Sequence, residues 1–286
     1  MNAVSSPLAW INGTFLPESE ATVSVFDRSF LYGDGLFETV RVYSGIPFRW
    51  NQHLARLEAG ARFLGIRLPW TGDAIGAAAS LLVQRNELPE SLLRITVSRG
   101  VGLRGYSTRG ADRPVVVLTL YPARANDPDH PVQWKLVTAS HRIPSGDRLA
   151  TFKTANKLAQ ILARAEAEQW GADEALLLNS DGRFAEAAGS NLFWLENEVL
   201  CTTPLTEGLL AGVTRDFVLE LARGLGWSVV ERSCRIWQLQ QASGVFLTSS
   251  SFEIVPATDL DGAPLKQSPR ITTLHRAYRD FVQRLG

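Results

Sequence analysis

The stretch Leu36-Phe-Glu-Thr-Val-Arg-Val-Tyr43 alternates in the manner of a half-buried β-strand, and Ser44-Gly45 supplies the turn that ends it. The residues that follow, 50–64, instead place apolar side chains every three or four positions, which predicts an amphipathic helix. A strand followed directly by a helix predicts that this part of the chain forms a mixed α+β domain.

The same reading extends in both directions from this strand and helix. Residues 8–14 read as a hairpin with Asn12-Gly13 at its turn. Residues 122–131 contain three prolines with turn-forming Asn and Asp, which predicts an interdomain linker. The other predicted elements are helix 73–86, strands 92–98 and 114–121, strand 132–139, helix 154–169, strand 173–178, hairpin 191–202, helix 214–225, strand 245–249 and helix 271–284.

These elements divide the chain into two mixed domains. We predict a small N-terminal α+β domain over 1–121, the linker over 122–131 and a larger C-terminal domain over 132–286. In helix 154–169 the expected buried stripe is Leu158, Ile161, Leu162 and Ala165.

Composition narrows the classes of function. The 286 residues carry 29 basic and 29 acidic side chains, so no charge excess favours nucleic acid or a membrane surface. Two cysteines and four scattered histidines show no metal-ligand spacing, so no protein-built metal site is expected. Neither a signal peptide nor a membrane span is apparent, and a cytoplasmic protein acting on small molecules is expected.

The small number of lysines narrows the choice of a candidate nucleophile. Only four of the 29 basic residues are lysines, namely Lys135, Lys153, Lys157 and Lys266. Arginine serves wherever a plain positive charge is needed, whereas a partly desolvated lysine amine can become a nucleophile. Lys153 stands between Phe152 and Thr154 just before a predicted helix, where desolvation could depress its pKa, so it is the best nucleophile candidate.

Three further segments suggest ligand chemistry. Gly100-Val-Gly-Leu-Arg-Gly105 matches a dinucleotide fingerprint, but it lies between two predicted strands, so we read it as a loop that carries Arg104 at its tip. Glu186 is a lone carboxylate among small residues. The start of helix 214–225, with Thr214 and Arg215, and the hydroxyl cluster 248–251 are suited to bind an anion such as phosphate.

Together these segments resemble the fold-type IV pyridoxal-phosphate enzymes, a group that includes branched-chain and D-amino-acid aminotransferases and aminodeoxychorismate lyase. The resemblance covers nearly the whole chain, with the blocks in the family's order. The blocks are Asp27-Arg-Ser-Phe-Leu-Tyr-Gly-Asp-Gly-Leu-Phe-Glu-Thr39, His53-Leu-Ala-Arg-Leu57, Lys153-Thr-Ala-Asn156, Glu186-Ala-Ala-Gly-Ser-Asn191, Gly212-Val-Thr-Arg215 and Thr248-Ser-Ser-Ser-Phe-Glu253.

The resemblance implies a fold, a cofactor and a set of roles. Two mixed α/β domains would hold pyridoxal 5′-phosphate in an active site between them, in a homodimer. Lys153 would form the Schiff base and move protons, and Glu186 would keep the pyridine nitrogen protonated. The phosphate would be held by Arg56, the Val213 and Thr214 backbone amides, and Ser250.

For the reaction, the resemblance implies first an aminodeoxychorismate lyase of folate biosynthesis, and as the alternative an aminotransferase acting on branched-chain or D-amino acids, or on amines, with a 2-oxo acid acceptor. The loop 99–107 and Leu36-Phe-Glu-Thr39 are similar to aminodeoxychorismate lyases, in which Arg104 would bind a substrate carboxylate and Thr39 would assist proton transfer while pyruvate leaves 4-aminobenzoate. The small residues after Lys153 are also compatible with an aminotransferase. Phe37, a substrate-site residue, stands where D-amino-acid enzymes tend to have tyrosine. A catalytically idle cofactor-binding protein is the third class, which an intact Lys153 and Glu186 disfavour.

Overall fold

The computed structural model describes residues 6–124 and 126–285. The chain forms two compact units. The first comprises Met1–Arg124, Phe152–Asn156 and Gln283–Gly286, and the second comprises Ala125–Thr151 and Lys157–Val282. No helix within the described residues is long and apolar enough to span a bilayer.

The first unit is an antiparallel sheet covered by helices. Its strands are β1 (Leu8–Ile11), β2 (Thr14–Pro17), β3 (Gly35–Tyr43), β4 (Ile46–Pro47), β5 (Ser91–Ser98) and β6 (Val115–Pro122), and its helices are α1 (Arg28–Tyr32), α2 (Trp50–Leu64) and α3 (Gly72–Arg85). The strand order is β2-β1-β6-β5-β3-β4. Apolar residues of α2 and α3 pack against the buried side chains of β3, β5 and β6 to form one core.

Local sequence accounts for much of this unit. Asn12 and Gly13 both adopt positive φ, +43° and +98°, as a two-residue hairpin turn requires. The predicted helix 50–64 has the observed bounds. The glycine-rich segment after β5 leads into strand β6 rather than into a helix, so the dinucleotide reading is excluded by its structural context.

The second unit is built on a larger mixed sheet. Its strands are β7 (Trp134–Ile143), β8 (Glu174–Asn179), β9 (Phe184–Ala187), β10 (Asn191–Glu196), β11 (Val199–Thr202), β12 (Val229–Glu231), β13 (Gly244–Ser249), β14 (Glu253–Leu260) and β15 (Ala263–Pro264), and its helices are α4 (Leu158–Gln169), α5 (Val213–Gly224), α6 (Ile236–Gln241) and α7 (Pro269–Gln283). The order is β12-β11-β10-β13-β14-β7-β8-β9, with β15 beside β14.

Helix α4 corrects two predictions. It begins at Leu158 rather than at residue 154, with Lys157 as its N-cap. The predicted stripe is wrong, because Leu158, Ile161 and Leu162 are exposed while the buried residues are Ala163 and Ala167. These alanines belong to a core with small residues of β7 and β8, so the helix face with little side-chain volume is the one that approaches the sheet.

The units differ from the predicted domains in two segments, Phe152–Asn156 and Gln283–Gly286. The first division, at Arg124, lies close to the predicted end of the N-terminal domain at residue 121. Segment Phe152–Asn156, which includes Lys153, clusters with the first unit, although the prediction assigns it to the C-terminal domain. Within the predicted linker, Asn126 is buried and its Nδ2 donates to the carbonyls of Phe252 and Ile254, both at 2.9 Å.

Candidate functional site

Lys153 is held against strand β3 of the first unit. Because β4 pairs only with Val42 and Tyr43, the first half of β3 has an edge available on that side. The Phe37 N–H donates to the Lys153 carbonyl at 2.9 Å, and the Ala155 N–H donates to the Gly35 carbonyl at 2.8 Å. Residues 153–155 are therefore extended by pairing, which explains why the helix begins only at Leu158.

Two cations contact one phenylalanine ring beside this edge. The Lys153 Nζ lies 4.5 Å from the centroid of the Phe37 ring, and the guanidinium carbon of Arg94 lies 4.1 Å from the same centroid. Both are cation–π distances. Burial lowers the pKa of Arg94 from its ordinary value, so this is a partly desolvated cation. Arg94 was not among the predicted site residues, although it is the one charged residue in the strand Ser91–Ser98.

The sheet register places Thr39 in the same surroundings. Thr39 is the β-partner of Arg94, and Phe37 is the partner of Thr96, to which Arg94 Nε donates at 3.1 Å. Phe37 and Thr39 are two positions apart and half-buried, so they share one face of β3. The structure thus brings together Lys153, Phe37 and Thr39 among the predicted site residues, with Arg94 added.

The opposite face of β3 carries a buried ionic cluster. Glu38 is fully buried and accepts Arg56 Nε and Nη2, both at 2.7 Å, while His53 Nδ1 lies 2.8 Å from its Oε2. Burial alone would raise the pKa of Glu38, but the Arg56 and His53 hydrogen bonds outweigh it and bring that pKa to about 2. Burial lowers the pKa of His53, and the charges of Arg56 and Lys153 act in the same direction.

This arrangement explains how Arg56 can be presented to an anion. Glu38 accepts hydrogen bonds from Nε and Nη2 of the Arg56 guanidinium. A bidentate carboxylate also fixes the plane of the guanidinium. The role of Glu38 was not predicted from the sequence, because it depends on α2 packing over β3.

We expect Glu38→Gln to destabilise the first unit by roughly 3 kcal/mol at pH 7, since it leaves the largely buried Arg56 guanidinium without its counter-ion. The pKa of Glu38 is lowered on folding, so its contribution is present above about pH 4.5 and is lost as pH falls toward 2. Urea unfolding measures this. The free energy of unfolding of the variant should differ from that of the unaltered chain by less at pH 3 than at pH 7.

The control for this variant is Glu58→Gln on helix α2, which also carries His53 and Arg56. Glu58 is half-buried and pairs with the exposed Arg62 at 3.9 Å, so its loss should cost less than about 1 kcal/mol. A stability difference between Glu38→Gln and the unaltered chain that does not narrow with acid would contradict the role given to Glu38.

Arg104 lies elsewhere in the first unit. It is exposed in the loop 99–114 between β5 and β6, and the neighbouring Leu103 and Tyr106 are also exposed. Backbone carbonyls on its C-terminal side are engaged by Arg28.

In the second unit, Glu186 is a buried carboxylate on β9. Its Oε1 accepts Gln160 Nε2 at 3.1 Å, and its Oε2 accepts the Leu210 N–H at 3.3 Å. Leu210 also receives the Asn191 amide on its carbonyl at 3.0 Å. One backbone position, Leu210, therefore ties the two ends of the Glu186–Asn191 block to the segment that leads into α5.

The N-terminus of α5 is suited to an anion. Its N-cap, Gly212, supplies no side chain, so the first-turn N–H groups of Val213 and Thr214 point toward the helix start together with the positive end of the helix dipole. Thr248, at the end of β13, has a buried Oγ1 without a hydrogen-bond partner among the described atoms. Ser250 follows in the turn between β13 and β14, and its side chain is half-buried.

Arg215 has a structural role instead of the expected place in an anion cradle. The residue is buried, and its Nη2 donates to the Thr203 carbonyl at 3.0 Å and to Glu231 at 2.6 Å. Nη1 donates to Asp216 at 3.2 Å. The guanidinium thus connects the start of α5 to β12 and to the residue after β11.

We expect Gly212→Ala to weaken cofactor binding by about 10-fold or more, because an added Cβ would lie 1.9 Å from Asn191 Oδ1 and displace the amide that holds Leu210. The φ of Gly212 is −73°, so the effect is steric rather than conformational. Titration of the apo-protein with pyridoxal phosphate measures it.

The matched control is Gly224→Ala, at the other end of the same helix. An added Cβ there meets no atom within 4 Å, so this variant should bind the cofactor normally and be slightly more stable. Equal affinities for the two variants would show that the α5 N-terminus does not contribute to binding.

The donor set agrees with one organic cofactor. An aldehyde requires an amine, a basic ring nitrogen requires a buried carboxylate, and a phosphate dianion requires N–H and hydroxyl donors. The first unit contains the Lys153 amine, and the second contains the buried Glu186 carboxylate and the start of α5, with a Thr248 hydroxyl for which the described atoms offer no hydrogen-bond partner. No cluster of metal-ligating side chains occurs within residues 6–124 and 126–285.

Comparison with known proteins agrees with this cofactor chemistry. The family described as Amino-transferase class IV matches residues 35–260. A Methanocaldococcus jannaschii protein, provisionally assigned as a branched-chain-amino-acid aminotransferase, is 34% identical over 97% of each chain. The aminodeoxychorismate lyase of Bacillus subtilis is 28% identical over 89% of this chain and 87% of its own length.

A solved structure extends the likeness to the fold. The T.th. branched-chain amino acid aminotransferase, crystallised with pyridoxamine 5′-phosphate, has a TM-score of 0.91 and 30% identity, covering 97% of this chain and 94% of its own. The expected α+β fold and the expected cofactor, pyridoxal 5′-phosphate, are thereby confirmed. By sequence and by fold, this chain belongs to the class IV aminotransferase family of pyridoxal-phosphate enzymes.

Proposed function

We propose that this protein is an aminotransferase that moves an amino group from an amino acid to a 2-oxo acid. The observation that carries the proposal is the pair of cations on the Phe37 ring. An aminotransferase must hold a substrate carboxylate near its reactive lysine with a tyrosine or arginine set, and Arg94 shares an aromatic neighbour with Lys153. The M. jannaschii relative, aligned over almost the full length of both chains, supports the same class.

The protein's own groups divide the work. Pyridoxal phosphate, when bound, serves as the electron sink for charge that develops at the substrate carbon. Lys153 would hold the cofactor covalently, and its amine, once the substrate amino group had displaced it, would move a proton to and from that carbon. Glu186 holds a proton on the pyridine nitrogen. Arg56, Ser250 and the backbone amides of Val213 and Thr214 bind the phosphate.

Substrate selection falls to the first unit in this proposal. Arg94 binds a carboxylate through charge-assisted hydrogen bonds. The Phe37 ring excludes water beside the Lys153 amine and the Arg94 guanidinium, which strengthens the ionic interactions that these two cations make. Arg104 binds a second carboxylate when the substrate has one.

A lyase is the second candidate, and Thr39 is the observation that favours it. The Thr39 side chain lies on the Phe37 face of β3, opposite Arg94, where a hydroxyl could assist proton transfer to a leaving enol. The B. subtilis aminodeoxychorismate lyase is a relative over most of this chain. In that reading the products are pyruvate and 4-aminobenzoate.

A two-substrate assay separates these candidates. The purified protein with pyridoxal phosphate is incubated with L-leucine, D-alanine or (R)-phenylethylamine plus 2-oxoglutarate, and separately with aminodeoxychorismate. We expect glutamate to form with at least one amino donor, and no 4-aminobenzoate. Formation of 4-aminobenzoate without amino transfer would replace the aminotransferase by the lyase, and neither product would overturn both.

We also propose that the protein is a homodimer in the cytoplasm. Exposed apolar side chains support an assembly: Leu158, Ile161, Leu162 and Trp170 along α4, and Phe26, Phe30, Leu103 and Tyr106 in the first unit. Light scattering after size exclusion should give twice the 31.4 kDa chain mass. A mass of one chain at micromolar concentration would refute the dimer.

A further inference from the structure

Residues 27–34 of the first unit are joined to the loop that carries Arg104. Asp27 caps α1 by accepting the Ser29 N–H at 2.8 Å, and it forms a β-bridge with Val101. The Arg28 N–H donates to the Gly100 carbonyl at 2.9 Å. The block 27–34 therefore lies directly beneath the start of the glycine-rich loop.

The Arg28 side chain binds the backbone on the C-terminal side of Arg104. It is 3% exposed, and its Nη1 donates to the carbonyls of Gly105 at 2.9 Å and Ser107 at 3.0 Å. Nη2 donates to the carbonyl of Tyr106 at 3.3 Å. One buried guanidinium thus binds three consecutive carbonyls immediately after Arg104.

Two neighbours hold Arg28 in this orientation. Asp34 accepts Arg28 Nε at 2.8 Å and also Arg99 Nε at 2.8 Å, so one carboxylate secures both the guanidinium and the residue at which the loop begins. The guanidinium carbon lies 5.1 Å from the centroid of the Tyr32 ring, whose hydroxyl accepts the Gly105 N–H at 3.2 Å. Tyr32 also contacts the Tyr106 ring edge to face at 5.7 Å.

The loop needs such support because little else orders it. Gly100, Gly105 and Gly110 adopt positive φ, and the side chains of residues 103, 104 and 106–109 are exposed. A glycine-rich loop loses much conformational entropy when it is fixed, so a loop that is ordered in advance binds its ligand more tightly. The planar guanidinium can bind three carbonyls at once, which a lysine ammonium cannot do with the same geometry.

We propose that Arg28 is a specificity-determining positioning residue. By holding the carbonyls of residues 105–107, it fixes the backbone that presents the Arg104 guanidinium to the second carboxylate of a dicarboxylate substrate. This inference rests on the proposed function, in which Arg104 binds that carboxylate. Arg28 acts through Arg104 and does not touch the substrate.

A double-mutant cycle tests the inference. Arg28→Lys, Arg104→Gln and the double variant are compared with the unaltered holoenzyme, using 2-oxoglutarate and 4-methyl-2-oxopentanoate as dicarboxylate and monocarboxylate acceptors. We expect each single variant to raise the KM for 2-oxoglutarate about 10-fold, with little change in kcat or in the KM of the monocarboxylate. The double variant should be no worse than Arg104→Gln alone.

The matched control is Arg109→Gln, an exposed arginine of the same loop that should leave both KM values unchanged. Equal effects of Arg28→Lys on both acceptors would overturn the inference, because they would indicate general damage to the fold. A further rise in KM when Arg28→Lys is added to Arg104→Gln would overturn it as well.

Hydrogen exchange separates a failure of this inference from a failure of the proposed function. Amides 103–109 should exchange about 10-fold faster or more in Arg28→Lys than in the unaltered chain and in Arg109→Gln. Unchanged exchange overturns the role of Arg28 whatever the activity. Faster exchange in a protein that transfers no amino group supports the Arg28 contacts and overturns the aminotransferase proposal.

Discussion

Lys153→Ala is expected to lower turnover by about 10³-fold or more while the fold is retained. The lysine amine is both the covalent attachment point and the group that moves the substrate proton, and a positioned base alone contributes roughly 10²–10⁴-fold. Its segment is held to β3 through backbone hydrogen bonds from Phe37 and Ala155, which alanine preserves. Steady-state rates measure the turnover and circular dichroism measures the fold, and the visible absorbance of covalently bound cofactor should be lost.

The control is Lys157→Ala, the next lysine along the chain. Lys157 is the N-cap of α4, outside the segment paired with β3, so its loss should change turnover by only a few-fold. If Lys157→Ala removes activity and Lys153→Ala does not, the assignment of the reactive amine is wrong.

Glu186→Gln is expected to lower turnover by about 10²-fold or more without preventing cofactor binding. Glutamine has the same shape and can still accept the Leu210 N–H, so the backbone held by Glu186 should stay in place. What is lost is the negative charge that stabilises a proton on the pyridine nitrogen, and removing one preorganised electrostatic partner typically costs roughly 10²–10³-fold in rate. Rate measurement at saturating cofactor tests this.

Glu174→Gln is the control for this second variant. Glu174 is also buried, and it accepts the Gly189 N–H and the Ser190 hydroxyl, both at 3.2 Å, so it supports the same turn without a role at the cofactor. Burial raises its pKa, which makes a neutral replacement less costly. Turnover should fall far less than in Glu186→Gln, and equal losses would assign both carboxylates a structural role.

The elements that depend on local patterns could be predicted from the sequence. The turn at Asn12-Gly13 and the helix Trp50–Leu64 follow from positive-φ residues and from apolar spacing, and both occur as expected. Helix α4 shows where such patterns stop. Its apolar stripe is real, but periodicity does not say which face approaches the sheet, and the buried face is formed by Ala163 and Ala167.

The site residues that were missed depend on pairing between distant parts of the chain. The extension of residues 153–155 comes from hydrogen bonds with β3, over a hundred positions earlier, and no local signal competes with the helical pattern that follows. The role of Arg94 depends on the sheet register that places it opposite Thr39, and the role of Glu38 depends on the helix packed over it. Lys153 could be selected because lysine is rare in this chain and this one follows Phe152. Glu186 could be selected because it is a single carboxylate among small residues.

Reductive trapping tests the central claim most directly. The protein is loaded with pyridoxal phosphate and treated with borohydride, and its proteolytic peptides are analysed by mass spectrometry. With only four lysines in the chain, the modified residue can be identified without ambiguity. We predict a phosphopyridoxyl group on Lys153 alone; modification of Lys135, Lys157 or Lys266 instead, or of no lysine at all, would contradict the account.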